Sequence, residues 1–181
     1  MKPVALDLPY PSIKNLAPDP AAARIIAPAY ASLHSELGAT LQYVYHSFWF
    51  DKENMEEYAD KIEGIAIAEM RHLDVLGKTL LLLGTDPVYT AVPPRLYRFY
   101  HTGDVAYSKT PRRMLLDDIS GEMQTIDDYR SMLKRLKNDD VCAVIARILL
   151  DEQLHLEVLT SLYEKYAGHP PEGAERGDDA D

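Results

Sequence analysis

Glu69-Met70-Arg71-His72 and Glu152-Gln153-Leu154-His155 decide the reading of this chain. In each, a carboxylate and an imidazole stand three residues apart, a spacing that puts both on one face of a helix. Each pair also interrupts an apolar stripe at the 3-and-4 spacing of a buried helix face: Ile62, Ile65, Glu69, His72, Leu76, Thr79, Leu83 in one, and Val141, Ile145, Ile148, Glu152, His155, Leu159, Leu162, Tyr166 in the other. Two further stripes carry one carboxylate each. Leu115, Ile119, Glu122, Ile126, Tyr129, Leu133, Leu136 is regular; Ala29, Leu33, Glu36, Thr40, Tyr43, Ser47, Phe50 is less tidy. Six polar side chains that an apolar core would reject therefore point into an all-α bundle of four long helices.

Their chemistry follows from the residue types. A Glu and a His on one helix face can bind one metal ion, and a Glu from a neighbouring helix can bridge two. Four carboxylates carry a charge that two divalent ions cancel. Left empty, the cluster would suffer like-charge repulsion and desolvation worth several kcal/mol, or take up protons. Mixed carboxylate and imidazole ligation suits two Mn or two Fe ions per bundle and leaves positions open for a small oxidant. Zinc fits the ligands but offers no redox chemistry. The six residues Glu36, Glu69, His72, Glu122, Glu152 and His155 are thus expected to be both metal ligands and the catalytic set. A salt-bridged polar core without metal is the plain alternative, and the common register of all six weighs against it.

Length and composition agree. A chain of 181 residues, 46% hydrophobic and 27% charged, has the make-up of one ordinary globular domain. A net charge of −10 argues against nucleic acid or an anionic membrane surface as partner, since both select clustered Lys and Arg. The single cysteine, Cys142, excludes a disulfide or a Cys-based metal cluster within one chain and is expected to pack as a small hydrophobe. The start lacks the apolar stretch of a secretory signal, and the apolar run around Leu80 to Leu83 is too short to span a bilayer. A cytoplasmic, reduced protein is expected.

Punctuation sets the organisation. Residues 1–27, with Pro3, Pro9, Pro11 and Pro18, read as an extended arm packed on the bundle or a neighbour, within which Asp19-Pro20 is able to cap a short helix. The bundle occupies 28–167. Its first helix is expected from about Pro28 to Phe50, and its second from the acidic Asp51–Glu57 segment to just before Gly84. Residues 85–109 lack helical periodicity and are long enough to cross the bundle lengthwise. Thr110-Pro111 is an N-cap and N1 pair for the third helix, and Asn138-Asp139-Asp140 turns into the fourth, which stops near Gly168. The Pro, Gly and Asp-rich stretch 168–181 is expected to be a disordered tail.

Three residues are expected to support the ligands. Asp151, beside Glu152, and Asp118, one turn before Glu122, are placed to accept hydrogen bonds from the outer nitrogens of His72 and His155. Tyr43, two turns from Glu36, points to the same core and is able to bond a ligand. His46 lies near a stripe but is expected to pack or face solvent; His34, His101 and His169 read as surface or loop residues.

Glu36, Glu69-x-x-His72, Glu122 and Glu152-x-x-His155 together resemble the ferritin-like di-iron and di-manganese superfamily over about residues 28–166. Two branches are similar. Pro18-Asp-Pro20, Ser35-Glu-Leu-Gly-Ala-Thr-Leu-Gln-Tyr43, Asp118-Ile119, Glu122 and Tyr129 resemble manganese catalases, particularly the short spore-coat forms. Glu36-Leu-x-Ala-x-x-Gln-Tyr43, Glu69-Met-Arg-His72 and Asp151-Glu152-x-x-His155 resemble bacterioferritins. The resemblance implies a ferritin-like four-helix bundle with a long crossover between the second and third helices. It implies either disproportionation of hydrogen peroxide or, by the rival branch, a ferroxidase or iron-storage role using dioxygen; a coat protein with a retained metal site is a third reading. The extended arm and acidic tail suggest association, so a homo-oligomer is expected, and the first branch implies a spore-coat location besides the cytoplasm. Glu69 and Glu122 are expected to bridge, with Glu36 and Glu152 terminal. Some departures matter: Gly121 stands where some manganese catalases carry a supporting Arg, and the crossover is short. Met70 stands where bacterioferritins carry a haem-ligating Met, yet a Met beside a metal-binding Glu is more often packing, so haem is not expected. The Cys-x-x-Cys pair of rubrerythrins is missing.

Overall fold

The computed structural model describes residues 2–90 and 99–168. Among the described residues are five α-helices, α1 (Pro20–Ala31), α2 (Glu36–Lys52), α3 (Glu56–Leu82), α4 (Pro111–Arg135) and α5 (Asp139–Gly168), with one short 3₁₀ turn at Thr102–Asp104. Helices α2 to α5 form the bundle. Among the described residues there is no strand, only an isolated bridge between Thr90 and Phe99.

The caps are as the sequence encodes them, with two differences. Asp19 accepts from the backbone N–H groups of Ala21 and Ala22 and starts α1 with Pro20 in the first turn. Asn138 caps α5 by accepting from Val141 N–H at 3.2 Å. Thr110 does precede Pro111 at the start of α4, but its side chain makes no capping bond. The larger difference is in the first helix. The sequence pattern predicts one helix from Pro28 to Phe50; the structure has two, because Pro28 lies inside α1 and the chain leaves helical geometry at Ser32. Ser35 then caps a new helix, its hydroxyl accepting from Gly38 N–H at 3.3 Å. Glu36 consequently sits in the first turn of α2.

Two tight connections pair α2 with α3 and α4 with α5. The first uses Asn54 at φ 57°, a left-handed conformation that Asn tolerates. Gly84, at φ 84°, ends α3 in the same region, where a Cβ would be strained. The end of α3 (Leu76, Leu80, Leu83) packs with α1 and the start of α5, whereas the start of α4 (Met114, Leu115) packs with the start of α3 and the end of α5. The end of α3 and the start of α4 therefore lie at opposite ends of the bundle.

These two apolar clusters divide the core into halves. One contains Ile26, Tyr30, Leu80, Tyr129, Val144 and Ile148; the other contains Phe50, Ile62, Ile65, Met114 and Leu159. Neither contains the six candidate ligands, which form a buried polar layer between them. Cys142 is half-buried against the first cluster. No described helix is long and apolar enough to cross a membrane. The expected tail from His169 onward lies outside the described residues.

Candidate metal centre

All six candidate ligands are at most 2% exposed. They meet because α2 and α4 each contribute one Glu, and α3 and α5 each contribute a Glu and a His one turn apart. Their donor atoms fall into two groups of four, each within 4.8 Å: Glu36, Glu69, His72 and Glu152 in one, and Glu69, Glu122, Glu152 and His155 in the other. Glu69 and Glu152 belong to both. The shared pair is thus the two Glu-x-x-His carboxylates, and Glu122, expected to bridge, belongs to one group only, as Glu36 does.

Both imidazoles present Nδ1 to the carboxylates. His72 Nδ1 lies 2.9 Å from Glu152, 3.2 Å from Glu69 and 3.3 Å from Glu36. His155 Nδ1 lies 2.9 Å from Glu69 and 3.6 Å from Glu122. The His72 Nδ1 contact with Glu69 is a hydrogen bond, but the others are close and poorly directed, for Glu36 Oε2, Glu69 Oε1, Glu152 Oε1 and His155 Nδ1 are buried with no hydrogen-bond partner among the described residues. Buried donors left without partners and gathered into two groups of four fit two cations. Hard carboxylate oxygens with one imidazole per group fit Mn or Fe.

The outer nitrogens are held too. His72 Nε2 lies 3.2 Å from Asp151, as expected from the sequence. His155 Nε2 instead donates to the carbonyl of Val4 at 2.8 Å. Asp118 does not reach either His72 or His155. It accepts from His46 Nδ1 at 2.8 Å and from Gln42 at 2.8 Å, because it faces α2 one turn away from the ligand layer. His46 is fully buried in that pair. Tyr43 donates to Glu122, and Tyr129 donates to Glu36. Tyr129 stands in the α4 stripe seven residues after Glu122, where it reads as an ordinary core residue; the signal for its role is that a buried hydroxyl must find an acceptor. Burial and the neighbouring carboxylates push both phenols well above the ordinary tyrosine value, so both stay protonated as donors. Met70 is half-exposed on the outer side of α3.

Without cations the layer stores protons. Burial, then Glu69 and Glu152, pushes the Glu36 carboxyl well up; burial, then Glu152, does the same to Glu122. Burial acts against charge on Glu69 and Glu152 as well. The neighbouring Glu36 carboxyl and His155 nevertheless bring Glu69 well below the ordinary range, and His72 and His155 lower Glu152. Both imidazoles are raised well above the ordinary value despite burial, by their carboxylate neighbours. Ions bind the deprotonated donors, so loading at neutral pH is expected to release protons from Glu36, Glu122, His72 and His155, with affinity rising as pH rises. Calorimetry in buffers of different ionisation enthalpy measures this; heats that are independent of the buffer would refute it.

A cavity of about 50 Å³ leads to the layer. Exposed Leu33, His34 and Asp104 stand at its outer side, and Glu36, Glu69, Glu122 and Glu152 line its inner side. Gly121 also lines it, and a Cβ there would meet nothing within 4 Å. Gly121→Ala is therefore expected to stabilise α4 by about 0.5–1 kcal/mol through backbone entropy alone. Thermal melting of the variant checks it, and a fall in melting temperature would contradict the open packing.

The ferritin-like domain family matches residues 30–165. This chain belongs to the ferritin-like family. Among the relatives of this ferritin-like protein is a bacterioferritin from Streptomyces coelicolor, 31% identical over 130 residues, covering 70% of this chain and 72% of the relative. A bacterioferritin from Mycolicibacterium paratuberculosis is 29% identical over 135 residues, covering 73% and 79%. A manganese catalase from Anabaena PCC7120 superposes with a TM-score of 0.76 at 19% identity, covering 97% of this chain and 85% of the catalase. A Rhodobacter capsulatus bacterioferritin superposes with a TM-score of 0.72 at 22% identity, covering 91% and 100%. At these identities the superpositions establish the shared ferritin-like fold.

Proposed function

We propose that this ferritin-like protein is a dinuclear-metal oxidoreductase that disproportionates hydrogen peroxide. The observation that carries the reading is the pair of four-donor groups sharing Glu69 and Glu152, beside a cavity of about 50 Å³ with room for a very small molecule. Redox-active ions held there would exchange one electron each, so that two peroxides become one dioxygen and two waters without an outside reductant. The chain's part is to place the donors: Glu36 and Glu122 each keep one oxygen bound to a tyrosine hydroxyl, and both histidines are fixed by acceptors on Nε2. Superposition on the manganese catalase along nearly the whole chain supports this choice.

The second reading is a ferroxidase, favoured by the bacterioferritins that match in sequence. Haem has no part in either reading. Both include a homo-oligomer in the cytoplasm. Protein loaded with Mn and separately with Fe distinguishes them. Prompt oxygen release, one O₂ per two peroxides, supports the first. Rapid Fe(II) oxidation with iron retained in a hollow assembly, and little oxygen release, replaces it with the second. Metal-dependent melting without either turnover overturns both in favour of a structural coat role.

A further inference from the structure

Residues 2–10 lie against α3 and α5, and three observations tie this arm to the two histidines. First, the Val4 carbonyl is the acceptor for His155 Nε2, while Val4 N–H donates to the Gly64 carbonyl at 2.9 Å. A Cβ on Gly64 would lie 2.9 Å from Val4 Cγ2 and 3.1 Å from the Lys2 carbonyl, so the arm approaches α3 only because position 64 has no side chain. Second, Asp151, which faces His72 Nε2, accepts from Leu6 N–H at 2.8 Å and from the Tyr10 hydroxyl at 2.9 Å. Third, Arg147 pairs with Asp151 at 2.8 Å and donates to the carbonyls of Leu6 and Leu8, its guanidinium 4.6 Å from the Tyr10 ring.

We propose that the arm is a positioning element of the dinuclear centre, setting the tautomer and ring orientation of both histidines. This rests on the metal-binding reading above. A carbonyl only accepts, so its bond from His155 places hydrogen on Nε2 and leaves the Nδ1 lone pair facing Glu69 and Glu122. For His72 the arm acts at one remove, through the carboxylate of Asp151. The division is by half-site: residues 2–4 govern the ion bound by His155, and residues 6–10 the ion bound by His72.

Full-length Gly64→Val, a chain lacking residues 2–4, and wild type, each loaded with Co(II), test this. Cobalt per chain after gel filtration, the visible d–d spectrum, release to a chelator, amide exchange of the arm and melting of the metal-free proteins are the readouts. Either variant is expected to release one of its two ions roughly 10–100-fold faster, the range seen when a ligand's outer partner is lost. The spectrum of that ion changes, the other ion is retained, and metal-free melting changes little. Wild-type release and spectra in a variant whose arm exchanges freely would overturn the inference. So would equal loss of both ions with a lower metal-free melting temperature, which would make the arm a brace for the bundle only. Wild type that binds no cobalt pair would instead defeat the metal-binding reading.

Discussion

Glu152→Gln is expected to weaken binding of both ions, whereas Glu122→Gln weakens only one. Glu152 contributes to both four-donor groups and Glu122 to one. The amide keeps the volume of the carboxylate, so the variant opens no cavity in a core where Glu152 is 1% exposed. Its neutral oxygen replaces a charged ligand at each ion, and the loss in affinity should exceed about 100-fold at both, the upper end of what losing a mere supporting partner costs. Stability supplies the readout. Each ion present at a thousandfold excess over its Kd stabilises the folded chain by about 4 kcal/mol. In a domain of this size that corresponds to a melting shift on the order of 10 °C per ion. Wild type should gain two such increments on loading, Glu122→Gln one in full, and Glu152→Gln neither in full, since a loss of about 100-fold at a thousandfold excess leaves about 1.4 kcal/mol, roughly a third, of each. Equal behaviour of the two variants would show that the shared position is not occupied as the donor geometry implies.

The convergence of the six candidate ligands was legible because helical spacing converts positions in the chain into positions on a face. A Glu three residues before a His, inside an apolar stripe, has one direction to point. What the spacing lacks is the relative height of one helix against another. That height is set by packing, and it decides whether Glu122 or Glu152 lies between both groups. The break after Ala31 was hidden for a related reason: Ala29, Leu33 and Glu36 keep helical register across Ser32–Ser35, so the stripe continues where the hydrogen bonds do not. The sequence places Asp118 one turn from the candidate ligand Glu122, which suggests a bond to one of the candidate ligand histidines. One turn is about 5.4 Å along the axis, enough to pair it with His46 on α2 instead. The arm carries no periodicity, and its contacts run through backbone carbonyls that every residue possesses. Only Tyr10, Arg147 and Asp151 mark it by side chain, and the i, i+4 spacing of the last two is their sole local signal.

Asp151→Ala is expected to cost about 3–5 kcal/mol in the metal-free protein, the usual loss when one member of a buried ion pair is removed. Asp151 is fully buried, and Arg147 is 6% exposed. The truncation leaves the guanidinium, the Leu6 N–H, the Tyr10 hydroxyl and His72 Nε2 without their common acceptor. Water cannot replace all four in a site packed this closely, so the loss exceeds that of any one bond. Asp151→Asn keeps an acceptor oxygen and should cost less. The pH dependence separates charge from packing. Burial pushes the Asp151 carboxyl up, but His72, Arg147, Leu6 N–H and Tyr10 together hold it well below the ordinary carboxylate range. A depressed folded-state pKa contributes stability that is complete above the unfolded value, about 3.9, and is lost only as pH falls toward the folded one. The gap in stability between wild type and Asp151→Asn should therefore stay constant from neutral pH down to about pH 5 and shrink below about pH 4. Denaturant titrations across that range measure it. A gap that closes between about pH 5 and 7 would place the titration on a histidine instead, and Asp151 would then be holding His72 by shape rather than by charge.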